Sequence, residues 1–557
     1  MFAEIVLHRR VPSNFDSFTY SVPENLKVQE GQLVKIPFRK QTILGIVRRL
    51  HSEAPKYATK AIEEVIPVIL PKFQMDLANW MSEKYKCGFS KTVDFFIPEK
   101  IWRPSKKKKA KEKVLENPQP TAEKNEIKKN IKITLPKNDE LKNLTKNLLK
   151  DSSKKIVIEK TRLPRAELIS FLADQMPKNS QILYLLPEVF YTQKLAKNFA
   201  VFHGGLKEPE KARMWENIKN GESGIIFGTR ASLFLPFKNL SAIVLDFEHN
   251  ENYNEKRTPN YHALEIAEQL AKIWNIPLIA ISASPRAEMW HKISKNIFNK
   301  FEWESKNAQT KVEILDMFDE RRKGNYEILA EKTVEKIASC LAQNSQALLF
   351  LNRIGEASAV ICEDCGNVLR CEKCKSAFTI HKHEQMQCRK CHISRQIPSS
   401  CENCKSVKLK QLGYGTEKIE TEIAKIFGRA KILRLDAETI FDKKTAAVEL
   451  NEKVLETADI LIATQIINKP FNLPRLNLTV AVMPDSILHF PDFRTGERVF
   501  QILEHLKLLS KKEMIIQTFM PDNQVFNAIK NGSIESFYEA ELESRRPFNL
   551  PPFNKAD

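Results

Sequence analysis

Glycine is scarce in this chain, at 16 of 557 residues. Few positions can therefore take positive φ freely or bring bare backbone against a phosphate. Long apolar runs are missing too. None reaches the roughly 18 residues a membrane-spanning helix needs, so no membrane partner is expected. The opening residues MFAEIVLHRR hold no apolar signal segment, which points to a cytoplasmic location. Acidic residues fall short of basic ones, 69 against 88, leaving a formal charge of +19. Nucleic acid is the default partner for that balance. The length fits about three or four domains at roughly 150 residues each, and 42% hydrophobic content supports ordinary cores.

Cysteine is concentrated rather than spread. Eight of the ten form Cys-x-x-Cys pairs: Cys362/Cys365, Cys371/Cys374, Cys388/Cys391 and Cys401/Cys404. Such a turn aims two sulfurs at one point, and two turns complete a tetrahedral zinc site, so four turns imply two Zn2+. Five residues separate the first turn from the second, and thirteen the second from the third, enough for a short hairpin. The sites are therefore expected to nest. Cys371, Cys374, Cys388 and Cys391 hold one zinc. Cys362, Cys365, Cys401 and Cys404 hold the other and clamp the base of the insertion. Disulfides are disfavoured by the absence of an export signal. Four thiolates leave no open coordination position, so the metal is expected to be structural and His381, His383 and His392 to be bystanders.

The segments differ in character. Residues 1–102 read as a small β-rich domain followed by a helix, with apolar alternation in AEIVLHR, SFTYSVP, QLVKIPF and ILGIVRRL. Residues 103–135 form a basic linker; the run 103–132 has 11 Lys/Arg against 4 Glu, and it is expected to be flexible. From 136 onward short β-branched runs alternate with helical patterns, the signature of α/β lobes with parallel sheets. ILYLLPE, GIIFGTR, AIVLDFEH and LIAISASP fall in a first lobe at 136–315. ALLFLNR, KILRLDAE, DILIATQ, LTVAVMP and MIIQTF fall in a second at 316–557, with the zinc insertion at 361–405 directly after ALLFLNR.

Strings along nearly the whole chain carry a resemblance: FTYSVPENLKVQEGQLVKIPFRKQTILGIV at 18–47, then LPE, HGGL, FGTRASLFLPF, VLDFEHNENYNEKRTPNYHALEIA, FLNRIGEASAVICEDCG, the eight cysteines, LGYGTEKIE and PDFRTGER. The sequence resembles the PriA family of bacterial replication-restart proteins. The resemblance implies two RecA-like lobes of a superfamily-two DNA helicase behind an N-terminal domain that captures the 3′ end of a nascent strand. It also implies a further C-terminal domain after a PPF string; here the sequence closes at LPPFNKAD, so one DNA-contacting surface is expected to be absent.

The motor strings depart from that family. Where its members carry G-x-T-G-S-G-K-T-E, this chain reads Glu159-Lys160-Thr161-Arg162-Leu163-Pro164-Arg165-Ala166-Glu167. The glycines are gone, Pro164 offers no N–H, Arg165 stands for the lysine, and Ala166 has no hydroxyl for Mg²⁺. The family's Asp-Glu-x-His is here Asp246-Phe247-Glu248-His249, with Phe in the place of the glutamate that polarises water. ATQIINKPFNLP at 463–474 lacks a family glycine, and QILEHLKLLSKKEM replaces an arginine-rich run. ATP binding is therefore doubtful, and the chain is expected to be no enzyme.

What remains is DNA recognition. By string match Phe18 and Tyr20 lie where the family stacks the terminal nucleotide, and Lys35, Arg39 and Lys40 are placed to meet phosphates. Ordinary strand packing is the plainer account of the two aromatics, and a solvated face that of the three cations. Many relatives have Asp between the two aromatics, suited to accept from a 3′-hydroxyl; this chain has Thr19, with Asp16 nearby. The expected function is binding of forked or single-stranded DNA at stalled replication forks. It would promote assembly of primosome proteins and loading of the replicative helicase, without helicase activity. The alternatives are an active ATP-dependent 3′→5′ DNA helicase and a protein-binding adaptor without DNA contact.

Overall fold

The computed structural model describes residues 1–7, 17–102, 136–189, 195, 199–305, 310–352, 359–362, 364, 368–373, 378–381, 385–388, 393–412, 416–435, 452–464, 473–488, 490 and 492–554. The basic linker at 103–135, Asp16, and the cysteines Cys365, Cys374 and Cys391 lie outside them. Among the described residues no helix is long and apolar enough to cross a membrane. The chain forms two compact units. One is Met1–Val157 with Pro164–Ser282 and Phe298–Phe301; the other is Ile158–Leu163 with Ala283–Ile297 and Glu302–Asp557.

The first unit begins with an antiparallel sheet of β1 (Phe2–Leu7), β2 (Phe18–Ser21), β3 (Gln32–Phe38), β4 (Gln41–His51) and β5 (Glu64–Ile69), in the order β2-β1-β4-β3-β5. The alternating runs become β1 to β4. Their inward residues, Ala3, Ile5, Leu7, Tyr20, Val34, Ile36 and Val47, form one buried cluster. The helical stretch that follows is docked. Gln74, fully buried on the helix Lys72–Lys84, donates to the Phe234 carbonyl at 2.7 Å. The Trp215 indole donates to the Phe96 carbonyl at 2.8 Å, and the Tyr85 hydroxyl to Glu265 at 2.6 Å. Phe234, Trp215 and Glu265 belong to the first lobe, so residues 72–102 pack against that lobe.

The first lobe is a seven-stranded sheet of β6 (Lys154–Glu159), β7 (Gln181–Leu185), β8 (Ala200–Phe202), β9 (Ile225–Gly228), β10 (Leu240–Asp246), β11 (Leu278–Ser282) and β12 (Asn299–Trp303), ordered β12-β6-β11-β10-β7-β9-β8. Neighbours from β11 to β8 run parallel. The four strands expected from sequence are β7, β9, β10 and β11. Added to them are β6 and two short or charged strands at the edges, where less apolar text suffices because one side is not buried by another strand.

The second sheet starts at β13 (Lys311–Asp316), ahead of the expected division at 316, and continues with β14 (Gln346–Leu351). The insertion then supplies β15 (Ala359–Cys362), β16 (Thr379–His381), β17 (Gln385–Gln387), β18 (Ser394–Gln396) and β19 (Leu409–Leu412). β16 and β17 are the expected hairpin between the second and third cysteine turns. β20 (Ile432–Leu435), β21 (Ile460–Ala463), β22 (Leu476–Val482) and β23 (Glu513–Thr518) complete a six-stranded sheet, β13-β23-β22-β14-β21-β20, in which every neighbour is parallel.

Candidate functional site

At the end of β10 stands Asp246, fully buried. Arg165, the first residue of the helix Arg165–Gln175, grips it with both arms: Nε donates to Oδ2 and Nη2 to Oδ1, each at 3.1 Å. The Tyr184 hydroxyl donates to Oδ2 at 2.9 Å and the Phe247 backbone N–H to Oδ1 at 2.9 Å. A carboxylate offers about four lone-pair positions, and four donors meet this one. The guanidinium also lies over the Phe247 ring, 4.6 Å from its centroid, a cation–π contact. Phe247 takes φ 54° to sit there, a conformation costly for a bulky side chain. Three side-chain donors and one backbone N–H thus fill the ligand positions of an acid that the resemblance assigned to Mg²⁺. Glu248 is buried, with its N–H on the Ile281 carbonyl, and His249 Nδ1 lies 2.7 Å from Ser282 Oγ.

The loop before Arg165 is closed by its own hydrogen bonds. Lys160 and Thr161 donate their N–H groups to the Trp303 carbonyl, at 2.9 and 3.3 Å. Leu163 donates to the Glu159 carboxylate at 2.6 Å. Glu159 is 4% exposed and stands where the family has its first glycine. A phosphate cradle needs free N–H groups and no nearby anion; here the N–H groups of Lys160, Thr161 and Leu163 are engaged, and the Glu159 carboxylate stands among them. Ala166 is exposed and carries no donor on its side chain.

In the second unit, the run QILEHLKLL continues the helix Thr495–Leu509 and buries Ile502, Leu503, Leu506 and Leu509. It packs a core in place of presenting arginines. Glu497 and Arg545, both nearly fully buried, pair at 2.6 Å. Arg545 also holds Glu541 at 2.6 Å, and Arg494 joins Glu497 at 3.3 Å and Glu288. Burial alone would raise the Glu288 carboxyl; the Arg494 guanidinium, with Arg286, holds it at about 2. Only the Arg494–Glu497 and Glu541–Arg545 pairs follow local helical spacing; Glu497–Arg545 and Glu288–Arg494 join residues far apart in sequence. The described part of ATQIINKPFNLP is Ala463, Thr464, Leu473 and Pro474; the rest lies outside the described residues.

The N-terminal sheet places its expected contacts unequally. Phe18 and Tyr20 share one face of β2, and that face is the core side. Tyr20 is 5% exposed and donates its hydroxyl to the Pro37 carbonyl at 3.3 Å. Its ring packs in the core of the sheet. Phe18 is half-buried and meets the Phe38 ring edge-on at 5.3 Å. Lys35 is paired with Glu64, so its charge is already balanced. Arg39 and Lys40 form the two-residue tip between β3 and β4 and are exposed, with no ion pair among the described residues. Arg39 takes φ 54°, a conformation that favours glycine or asparagine. Sequence reading missed Tyr57 and Lys60. The Tyr57 hydroxyl donates to Thr19 Oγ at 3.3 Å, and Lys60 Nζ to the Arg39 carbonyl at 3.4 Å. The interleaved cations and aromatic of KYATK were the available signal.

In the insertion, the sulfurs of Cys362, Cys401 and Cys404 lie within 4.8 Å of one another, with Cys362 and Cys404 at 3.5 Å. Thiolates on a tetrahedral zinc at about 2.3 Å stand about 3.8 Å apart, so the three fit one ion. The turn is folded for it: the Asn403 N–H donates to Cys401 Sγ at 3.4 Å, and Lys405 N–H to the Cys401 carbonyl at 3.0 Å. Pairing of β15 with β19 sets Cys362 opposite Leu409, which brings the first and last cysteine turns together. Cys371 and Cys388 are buried in one apolar cluster with Leu369, Phe378 and Met386.

Residues 4–98 match the family described as 3′DNA-binding domain (3′BD). The whole chain is similar to curated proteins called replication restart protein PriA. With the one from Rickettsia conorii it is 30% identical over 562 residues, covering 96% of this chain and 84% of that protein. With those from Bacillus subtilis and Synechocystis it is 31% identical over 400 and 413 residues, or 68% and 70% of this chain. The match spans about half the length of these two relatives, 49% and 50%.

Proposed function

The chain belongs to the replication restart protein PriA family, and on that premise we propose that it binds DNA at stalled or branched forks without an ATP-driven motor of its own. The observation that carries the second half is the closure of Asp246 by Arg165, Tyr184 and the Phe247 N–H. A metal needs open oxygens on that acid, and a nucleotide needs open N–H groups on the loop before it. In this chain the acid's oxygens, and the N–H groups of Lys160, Thr161 and Leu163, are engaged by the protein. The lobes then act as a passive clamp, and the fork-bound protein recruits primosome proteins and the replicative helicase or its loader.

Two zincs complete this reading, Cys362, Cys365, Cys401 and Cys404 for one and Cys371, Cys374, Cys388 and Cys391 for the other. The ions supply cross-links between loops too short to fold on a core of their own. The thiolates hold them, and the β15–β19 pairing joins the two ends of the insertion.

DNA affinity is assigned to the β3–β4 tip and its surroundings. Holding Arg39 at positive φ costs stability, and strain of that kind is informative where it presents a charge to solvent. Exchanging Arg39 and Lys40 together for alanine is expected to weaken fork binding by about tenfold at moderate salt. It should lower the slope of log K against log salt by roughly two contacts. Lys35→Ala should do less, because Glu64 already neutralises it. Titration of labelled forked DNA across a salt series reads both, and an unchanged affinity in the double variant would favour an adaptor without DNA contact.

A further inference from the structure

Three of the four cysteine turns carry acids between their cysteines, among them Asp364 in the first, Glu372 in the second and Glu402 in the fourth. We infer that Arg395 is a positioning residue that couples the two zinc sites through these acids, so that the insertion gains and loses both ions as one unit. This rests on the two-zinc reading above.

Arg395 stands on β18, in the hairpin that also carries the third turn, where the Cys388 N–H donates to the Ile393 carbonyl at 2.8 Å. Its Nη1 donates to Glu372 Oε1 at 3.2 Å, and its Nη2 to Glu402 Oε1 at 2.9 Å. One guanidinium thus reaches from the hairpin of the third turn to the second turn and to the fourth. On the nested assignment the second and third turns share one ion, and the fourth belongs to the other. The bridge therefore crosses between the sites. The bridge at Asp364 stays within one: its carboxylate accepts from Ser406 Oγ at 2.6 Å and from Lys408 Nζ at 3.1 Å, both just past the fourth turn. The stem of Arg395 is anchored. It lies across from Met386, which is fully buried, and cross-strand partners share a face. The guanidinium sits 4.9 Å from the centroid of Phe378, which packs with Cys371 and Cys388. Glu372 and Glu402 are 88% and 58% exposed, so the two pairs stabilise the fold little by themselves. Their effect is on the ions. A Zn2+ with four thiolates carries a net charge of about −2, and two such centres in one small insertion repel. A cation held between turns of both lowers that repulsion. Loss of either ion frees one anchor of Arg395 and so loosens the other site.

The test titrates the full zinc-loaded chain with a chelator of graded concentration and reads the zinc still bound by metal analysis. The expected wild-type result is two zincs leaving in a single transition. Arg395→Leu keeps an apolar stem over Phe378 and removes the charge. Its two ions should leave in separate transitions with midpoints about fivefold apart. Glu402→Gln changes only the exposed anchor on the fourth turn and should also separate them; it decides the matter if Arg395→Leu does not fold. Arg395→Lys keeps the charge and should stay closer to the single transition. Separate transitions in the wild type overturn the coupling and leave two zincs standing, as does a single transition kept in both Arg395→Leu and Glu402→Gln. One zinc per wild-type chain overturns the two-zinc reading itself, and the inference with it.

Discussion

Replacing Arg165 by alanine is expected to destabilise the first unit by about 3–5 kcal/mol, the usual cost of leaving one partner of a buried ion pair alone. Asp246 is fully buried and takes two of its four donors from that guanidinium. Tyr184 and the Phe247 N–H remain, but neither carries a positive charge. Phe247 would also lose the cation above its ring while still held at φ 54°. The melting transition of the first unit should fall by about 10 °C. Arg165→Lys should cost less, because it keeps the charge and loses only the two-armed geometry. The double variant Arg165→Ala with Asp246→Ala should be more stable than Arg165→Ala alone, since no orphan charge is left. Thermal melts of the wild type, Arg165→Ala, Asp246→Ala and the double variant decide this, with Arg165→Lys beside them. Additive losses would show that the pair is not coupled, and that Arg165 does not hold the site closed.

The second large effect concerns metal. Cys362, Cys401 and Cys404 converge on one point, and Cys371 and Cys388 share the insertion's small buried cluster. That cluster has few other large apolar members, so it is too small to hold five short strands alone. Zinc binding in comparable small sites contributes about 10 kcal/mol or more of folding free energy at neutral pH. Stripping the metal with a strong chelator, or Cys401→Ser, should unfold residues 359–412 and leave the six-stranded sheet intact. Amide hydrogen exchange reads this directly: protection is expected to vanish across β15–β19 and to persist in β14, β21 and β22. Metal analysis of the native chain should give two zincs per chain. A single zinc, or an insertion protected after chelation, would contradict the nested assignment.

Much of the architecture was legible because it follows from local patterns. The buried central strands β7, β10, β14, β21 and β22 are continuous apolar runs, and thirteen residues between cysteine turns predicted the β16–β17 hairpin. Edge strands such as β12, NKFEW, carry no such run. The departures of residues 159–167 from the family string were also legible, since they are single-residue changes at fixed spacing. The long-range pairs were not. Arg165 and Asp246 stand 81 positions apart, Lys35 and Glu64 stand 29 apart, and Tyr57 and Thr19 stand 38 apart. These pairs exist only once the sheets are assembled. Tyr20 follows strand alternation and packs in the core of the N-terminal sheet.

On the proposed function, the chain holds a fork without turning over ATP. The direct measurement takes one preparation and records fork affinity together with DNA-stimulated phosphate release from ATP. The expected result is tight, steeply salt-dependent fork binding with no release above the protein-free rate. Fork-stimulated turnover of about 1 s⁻¹ or more, in the range of working enzymes, would contradict it.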